Sequence, residues 1–324
     1  RPDLRVYAFA ADNVALLDRL GVWPQVRDAR SCAYRRMRVW DAGGGGELCF
    51  DADRLGRPEL GWIVENNLLV DRLWNALPAA GVSLHCPARV EALEQDAEGV
   101  RLRLDDGRRL EARMVIAADG AASTVRALAG IAVDAHDYGQ RGVVGYIQTD
   151  RRHEHTAWQR FLTTGPLAVL PCADGGSSIV WTLPEAEAER VVDLDDNAFA
   201  DALERAFEGR LGGMHPTSPR VAFPLRRQLA QRYLQGRVLV LGDAAHVVHP
   251  LAGQGVNLGV RDVAALHASV LAAQSRRVDW ASPHRLQRWA RERRSEDTVA
   301  AYSFDAINKV FSNDEMHLTL ARGR

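Results

Sequence analysis

Residues 237–262 read Arg-Val-Leu-Val-Leu-Gly-Asp-Ala-Ala-His-Val-Val-His-Pro-Leu-Ala-Gly-Gln-Gly-Val-Asn-Leu-Gly-Val-Arg-Asp. Their order gives a buried strand, a tight turn, a glycine-rich loop and the start of a helix. Val238 to Leu241 form a short apolar, β-branched run, as in a strand covered on both faces. Gly242 lets the chain turn, and Asp243 follows just past the strand's carboxyl end, where open α/β sheets bind their ligands. Gly253, Gly255 and Gly259 allow backbone N–H groups to approach a ligand closely. The N-terminus of the following helix favours negative charge at the same place.

An acidic side chain for sugar hydroxyls, beside bare backbone donors for an electron-rich ring, suits a flavin dinucleotide. A second stretch supports this reading. Residues 114–126 read Met-Val-Ile-Ala-Ala-Asp-Gly-Ala-Ala-Ser-Thr-Val-Arg. Again an apolar strand ends in an acid and a glycine, Asp119 and Gly120, and a helix follows that Ser123 can cap. Arg126 is suited to an anionic group or a nearby carboxylate. Alone, Asp-Gly after a strand is a common turn; well upstream of a Gly-Asp motif it gains weight.

Together the two stretches resemble the FAD-dependent aromatic hydroxylases of the p-hydroxybenzoate hydroxylase fold. The wording Gly-Asp-Ala-Ala-His, then His-Pro-Leu-Ala-Gly-Gln-Gly-Val-Asn-Leu-Gly, looks most like their ubiquinone-biosynthesis branch. The family opens with a strand, a Gly-x-Gly-x-x-Gly turn and a helix that hold the FAD pyrophosphate, and residues 1–324 contain no such pattern. The run Gly43 to Gly46 lies between Val39-Trp40-Asp41-Ala42 and Glu47-Leu48-Cys49-Phe50, as in a loose hairpin loop. The start, Arg1-Pro2-Asp3-Leu4-Arg5, resembles the family just after its first βαβ unit. The simplest expectation is therefore an N-terminal segment before residue 1, with a C-terminus that also stops early. The alternative is a protein that has lost the pyrophosphate site.

Composition fits an intracellular enzyme. The 324 residues allow two domains with a sizeable core. A formal charge of −1 gives no reason to expect a nucleic-acid partner. Arg288, Arg291, Arg293 and Arg294, with Glu292 and Glu296 interleaved, read as a solvated helix face. Cys32, Cys49, Cys86 and Cys172 are far apart, so buried thiols in a reducing compartment are expected. No apolar run reaches transmembrane length and no signal peptide is visible. The expected location is cytoplasmic, peripheral to the inner membrane.

Periodicity predicts a helix over 10–21, a loop starting at Trp23-Pro24, hairpin strands at 34–40 and 47–50, and a helix over 66–80. Strands are expected at 82–85, in a meander at 89–95, 99–104 and 109–111, and before Asp119. Antiparallel strands are expected at 141–149, 158–163, 166–171 and 177–183, then a helix at 195–207 and a strand at 220–224. The tail 263–309 reads as helical with a break near Ser282-Pro283. The fold class is α/β. The resemblance implies a doubly wound FAD-binding domain (1–29, 66–131 and 227–275) interleaved with a mostly antiparallel substrate-binding sheet (30–65 and 132–226). A C-terminal helical segment, 276–324, follows.

The resemblance also implies roles. Asp243, after Gly242, would accept hydrogen bonds from the ribityl hydroxyls. Gly253 opens the loop in which Gly255, Val256 and Asn257 would turn backbone N–H groups to the flavin's pyrimidine edge, where reduced flavin is negative. Pro250 would line the reactive face of the ring, with no catalytic side chain otherwise identifiable. Asp119 and Gly120 would lie near the pyrophosphate, Arg5 near the flavin, and Asn66 by the ribityl chain or at a helix cap. His246 and His249 are three apart with no third group of suitable spacing, so no metal is expected; His153 and His155 read as exposed.

The implied chemistry is monooxygenation: reduced flavin takes up O₂ as a C4a-hydroperoxide and passes one oxygen to an electron-rich phenol, with NAD(P)H or another electron donor. A polyprenylated phenol of ubiquinone biosynthesis would need an apolar channel, for which Phe161, Leu167, Val169, Leu170, Ile179 and Trp181 are candidates. Other ubiquinone-biosynthesis proteins are expected partners. The alternatives are a hydroxylase of another aromatic compound and a non-catalytic lipid-binding scaffold of a biosynthetic complex.

Overall fold

A computed structural model of the protein describes residues 3–44 and 46–311. Arg1 and Pro2 of the opening segment, Gly45 of the glycine run and residues 312–324 of the C-terminal segment lie outside the described residues. The chain opens with β1 (Val6–Ala10) and α1 (Ala11–Arg19). Gly21, at φ +70°, ends α1, with its N–H on Asp18 O and that of Val22 on Leu17 O, a Schellman closure. A helix, α2 (Trp23–Arg30), stands where a loop was expected. Pro24 sits in its first turn, where a missing N–H has no helical partner to lose.

Next come β2 (Ser31–Tyr34), the hairpin β3 (Arg36–Asp41) and β4 (Glu47–Asp51), β5 (Gly61–Glu65) and α3 (Asn66–Ala76). β1, β5 and β2 form a small antiparallel sheet. The strand expected at 82–85 does not form. Its Val-Ser-Leu-His alternation meets no partner edge among the described residues, and Val82 and Leu84 are exposed. β6 (Val90–Gln95), β7 (Val100–Leu104) and β8 (Arg109–Ala112) make the expected meander, turning at Gly107.

β9 (Val115–Ala117) leads through the Asp-Gly turn to the short α4 (Thr124–Leu128). Four strands of a large sheet follow as β10 (Val133–Thr149), β11 (Thr156–Leu162), β12 (Gly165–Pro171) and β13 (Ser177–Pro184). Then come α5 (Glu185–Val192), which periodicity did not single out, and α6 (Asp196–Phe207), capped by Asp195. β14 (Met214–Pro216), β15 (Val221–Ala230), β16 (Leu234–Gln235), β17 (Val238–Val240) and β18 (His246–Val247) precede α7 (Gln254–Ser275) and α8 (Pro283–Phe311).

A nine-stranded sheet carries β10–β13, β15, the β3–β4 hairpin, β14 and β18, antiparallel except where β11 runs parallel to β3. β17 pairs in parallel with β9 and antiparallel with β16. Val238, Leu239 and Val240 are wholly buried, packed with Val125, Leu286 and Trp289. Full burial of such side chains contributes about 1.5–3 kcal/mol each, so a three-residue strand is well anchored. A second core, with Leu167, Val169, Ile179 and Trp181, fills the space between the large sheet and α5–α6.

Three surface expectations are corrected. Cys32 is buried, but Cys49 and Cys86 are exposed. His153 is buried while His155 is exposed. Arg293 is buried instead of sharing the solvated face of Arg288, Arg291 and Arg294. Among the described residues no helix is long and apolar enough to cross a membrane.

Candidate flavin and substrate site

β9 and β17 lie side by side, Val115 opposite Val238 and Ala117 opposite Val240. Both end in an acidic turn at the same edge of the sheet. Gly242 holds φ +57°, and its N–H donates to Asp262 Oδ2 at 3.0 Å. A Cβ on Gly259 would stand 3.2 Å from Gly242 Cα, so that glycine lets α7 lie against the turn.

α7 starts earlier than the sequence suggested. Gly253, at φ +64°, is its N-cap, and a Cβ there would meet Ala8 N at 3.1 Å. Gly255, Val256 and Asn257 therefore belong to the first turn of the helix instead of a loop. Amides of a first turn lack helical acceptors, and the helix dipole adds positive potential. Asn257 is wholly buried. Its Nδ2 donates to Ala8 O at 2.7 Å, and its Oδ1 accepts from Ala10 N at 2.9 Å and Asn13 Nδ2 at 2.6 Å. The side chain thus bolts α7 to β1 and α1, leaving only the backbone to face a ligand.

These elements wall a cavity of about 280 Å³. Asp243, Pro250, Gly253, Gly255 and Val256 line one side with Val6 and Tyr7; the large sheet supplies Gln159, Pro166, Ala168, Leu170, Val180 and Thr182. A Cβ on Gly255 would meet nothing within 4 Å. Of the apolar residues expected to line a channel, only Leu170 does. Leu167, Val169, Ile179 and Trp181 point to the opposite face of the sheet, into the core beneath α5 and α6. Phe161 is buried and packs against Phe311, with ring centroids 4.5 Å apart and planes tilted by 30°. Alternation identified the strands, but both faces are apolar, so it could not choose the face. Tyr7, Gln159 and Thr182 carried no sequence signal.

Asp243 stands at the cavity mouth. Its residue surface is more than a third solvent-accessible, yet the surrounding protein desolvates the carboxyl, which is pushed above its ordinary range despite the nearby charges of His246 and Arg5. Among the described residues no side chain or amide hydrogen-bonds to it. Arg5 is exposed at 58% of its side chain. Asn66 is the first residue of α3, not its cap. Its Oδ1 accepts from Tyr7 OH at 2.9 Å and its Nδ2 donates to Asp3 Oδ2 at 2.7 Å. It reaches the cavity through Tyr7.

The Asp-Gly turn is built differently. Asp119 accepts from Ser123 Oγ and, at 3.1 Å, from Val125 N, closing the N-terminus of α4. Gly120 takes φ +83°. Arg126 is buried and donates to Ala244 O at 2.8 Å and Ala121 O at 2.9 Å. It ties the two turns together and, among the described residues, pairs with no carboxylate.

A larger cavity, about 1300 Å³ between Ser31–Arg36, Gln148–His155 and Cys172–Gly175, is a poorer candidate. Two of its arginines pair with carboxylates of its own wall, Arg35 with Asp53 and Arg36 with Glu154, and no α-helix N-terminus is among its lining residues.

The smaller cavity fits a flavin. Asp243 offers acceptors for hydroxyls, the first turn of α7 offers amides, and bare Gly255 leaves room for a ring. Fold and site define an enzyme of the FAD-binding class. A sequence profile described as "FAD binding domain" matches residues 5–301. The chain is 38% identical over 315 residues to 3-demethoxyubiquinol 3-hydroxylase of Escherichia coli (strain K12), covering 97% of this chain and 80% of that one. It is also 38% identical over 323 residues to ubiquinone hydroxylase UbiL of Rhodospirillum rubrum, covering 99% and 74%. In three dimensions it resembles the crystal structure of P. aeruginosa PqsL in complex with 2-aminobenzoylacetate, with TM-score 0.82, 21% identity, and 98% and 88% of the two chains covered. The protein belongs to the FAD-dependent aromatic hydroxylases of the p-hydroxybenzoate hydroxylase fold, on the branch of the ubiquinone-biosynthesis hydroxylases. It is an FAD-dependent monooxygenase.

Proposed function

We propose that this enzyme hydroxylates the aromatic ring of a polyprenylated phenol in ubiquinone biosynthesis, with FAD, O₂ and NAD(P)H or another electron donor. The observation that carries the reading is Asp243: a carboxylate at the mouth of an apolar cavity, beside the first turn of α7, with no hydrogen-bond partner among the described residues. When bound and reduced, FAD supplies oxygen activation that amino-acid side chains cannot.

The protein's part is to bind, orient and exclude water. We assign the ribityl hydroxyls to Asp243, presented by Gly242. The pyrimidine edge falls to the backbone N–H groups of Gly255, Val256 and Asn257, after the Gly253 N-cap. Negative charge on the reduced ring would meet the positive end of α7. Pro250 would pack on the ring face. Arg5 would neutralise phosphate or ring charge, and Asn66 would act by holding Tyr7. Asp119 and Gly120 would shape the pyrophosphate end, Asp119 through its turn, since its carboxylate is engaged with α4. Ala168, Leu170 and Val180 would receive the apolar substrate, and Gln159 and Thr182 would orient its polar groups.

Residues 1–29, 66–131 and 227–275 would form the cofactor half and 30–65 with 132–226 the substrate half, followed by the segment 276–324. We place the enzyme in the cytoplasm at the inner membrane surface, where a polyprenylated substrate resides, alongside other ubiquinone-biosynthesis proteins. The test is the visible spectrum of the protein purified from its complete gene, with and without added FAD, followed by product analysis on prenylated and unprenylated phenols. Flavin bands and a hydroxylated prenyl phenol are expected. No flavin bands at saturating FAD would overturn the reading, and turnover restricted to unprenylated phenols would move it to another aromatic substrate.

A further inference from the structure

Behind the Gly242–Asp243 turn lies a buried charge cluster that neither motif explains. Asp262 accepts from Gly242 N at 3.0 Å, His246 Nε2 at 2.7 Å and Arg293 Nε at 2.7 Å. Arg293 Nη2 donates to Asp297 Oδ1 at 2.8 Å, and Asp297 Oδ2 lies 3.4 Å from His246 Nε2. Asp262 and Asp297 are 0% exposed, His246 1% and Arg293 5%. The groups come from distant stretches: His246 just after the turn, Asp262 on α7, Arg293 and Asp297 on α8.

The ligand atoms of His246, Asp262 and Asp297 lie within 4.8 Å of one another, which corrects the expectation that no third group joins His246. The Arg293 guanidinium already supplies a cation there, and two of the three acceptor contacts on Asp262 are spent on it and on Gly242. A metal is not what this arrangement fits.

Burying four ionisable groups carries a large desolvation cost, and apolar side chains of similar volume often stabilise as well or better. Such a cluster makes physical sense where it fixes one geometry. Here the geometry fixed is the turn that presents Asp243. Gly242 needs a left-handed conformation; its carbonyl accepts from Ala245 N at 2.8 Å inside the turn, and its N–H makes the bond that ties the turn to α7. Asp262 holds it, and Arg293 holds Asp262.

We propose that Asp262 is a positioning residue for the cofactor: through Gly242 N–H it aims the Asp243 carboxylate, and Arg293 transmits to that turn the placement of α8. The inference rests on the reading that Asp243 binds FAD. α8 has a second polar anchor, Asp305, which accepts from Tyr138 OH and Arg227 Nη1 on the large sheet, away from the turn. That anchor is the natural control, because it attaches the same helix without touching Gly242.

The experiment is FAD titration, read by flavin fluorescence and the visible band, on protein from the complete gene carrying Asp243→Ala, Asp262→Asn, both together, Arg293→Lys, or Asp305→Asn, with folding checked by circular dichroism. Asp262→Asn should raise the FAD Kd about tenfold, and the double variant should bind within about twofold of Asp243→Ala alone, because Asp262 acts through Asp243. Arg293→Lys should fall between parent and Asp262→Asn, and Asp305→Asn should stay within about twofold of parent. Multiplying losses in the double variant, or an Asp262→Asn Kd within twofold of parent in a folded protein, would overturn the proposal. If Asp262→Asn does not fold, Arg293→Lys alone and with Asp243→Ala makes the same comparison. A parent that binds no FAD would defeat the cofactor assignment first; a parent that binds FAD and loses it with Asp243→Ala leaves only the positioning role at stake.

Discussion

Asp119 and Asp243 end neighbouring parallel strands, each beside a glycine of positive φ, and yet they are used in opposite ways. Asp119 spends both oxygens on its own turn, on Ser123 Oγ and Val125 N. Asp243 spends neither on a hydrogen bond among the described residues, and burial raises its carboxyl. In the first turn the acid builds the scaffold. In the second the scaffold is built by others, Asn257 in front and Asp262 behind, and the acid is left for a ligand. A local motif names an acid at a strand end; the hydrogen-bond count around it says which work it does.

The sharpest way to break this contrast is to remove the scaffold of the Gly-Asp side. Asn257→Ala leaves Ala8 O and Ala10 N without their partner, while Asn13 Nδ2 keeps the backbone carbonyl of residue 257 at 3.2 Å, and should cost about 2–6 kcal/mol in urea unfolding, at about 1–3 kcal/mol per orphaned group. A loss under about 1 kcal/mol would mean that water replaces the bolt.

Asp243→Ala should raise the FAD Kd about 10- to 100-fold, as expected for losing a hydrogen bond to a charged group worth about 1.5–3 kcal/mol. Unfolding of the cofactor-free protein should not become easier. If stability falls instead, Asp243 has a structural partner.

Asp119→Ala should do the reverse, losing about 1 kcal/mol of stability through its helix cap while FAD affinity changes less than about threefold. A large affinity loss would erase the difference between the two acids.

The smallest effect concerns pH. The folded carboxyl of Asp243 titrates above its unfolded value, so the folded state binds the proton more tightly. Its charge therefore weakens the cofactor-free fold above the raised value, and the penalty disappears as pH falls to the ordinary carboxylate range. Melting of cofactor-free Asp243→Asn should exceed that of parent at pH 8, and the gap should narrow towards pH 4. A gap that widens on acidification would reverse the assigned shift.

Much of the fold was legible in the sequence for local reasons. The strand–glycine–acid runs gave β9 and β17, the Asp-Asp-Gly turn placed the β7–β8 hairpin, and Ser282-Pro283 marked the start of α8. Errors arose where a distant partner decides. Trp23-Pro24 begins a helix because a first turn tolerates proline. Residues 82–85 have strand-like alternation but no edge to pair with among the described residues. Arg293 reads like its solvated neighbours Arg291 and Arg294 until Asp262 and Asp297 are brought beside it. Five of the six candidate channel residues, all but Leu170, failed for another reason: a sheet buried on both sides has no polar face, so its sequence gives a period and no direction.

The sequence by itself determined that two acids follow two buried strands, that glycines crowd the approach to α7, and that the family is one of flavin hydroxylases, because turns, helix starts and close backbone approaches are written in adjacent residues. Tertiary structure alone decided that Asp119 closes a helix while Asp243 stays available, that Asn257 is a bolt, that Tyr7, Gln159 and Thr182 face the cavity, and that Asp262 answers to Arg293. Each of these depends on which hydrogen-bond partner or which face of a sheet lies across the fold, and no local pattern encodes a neighbour that the chain reaches only after folding.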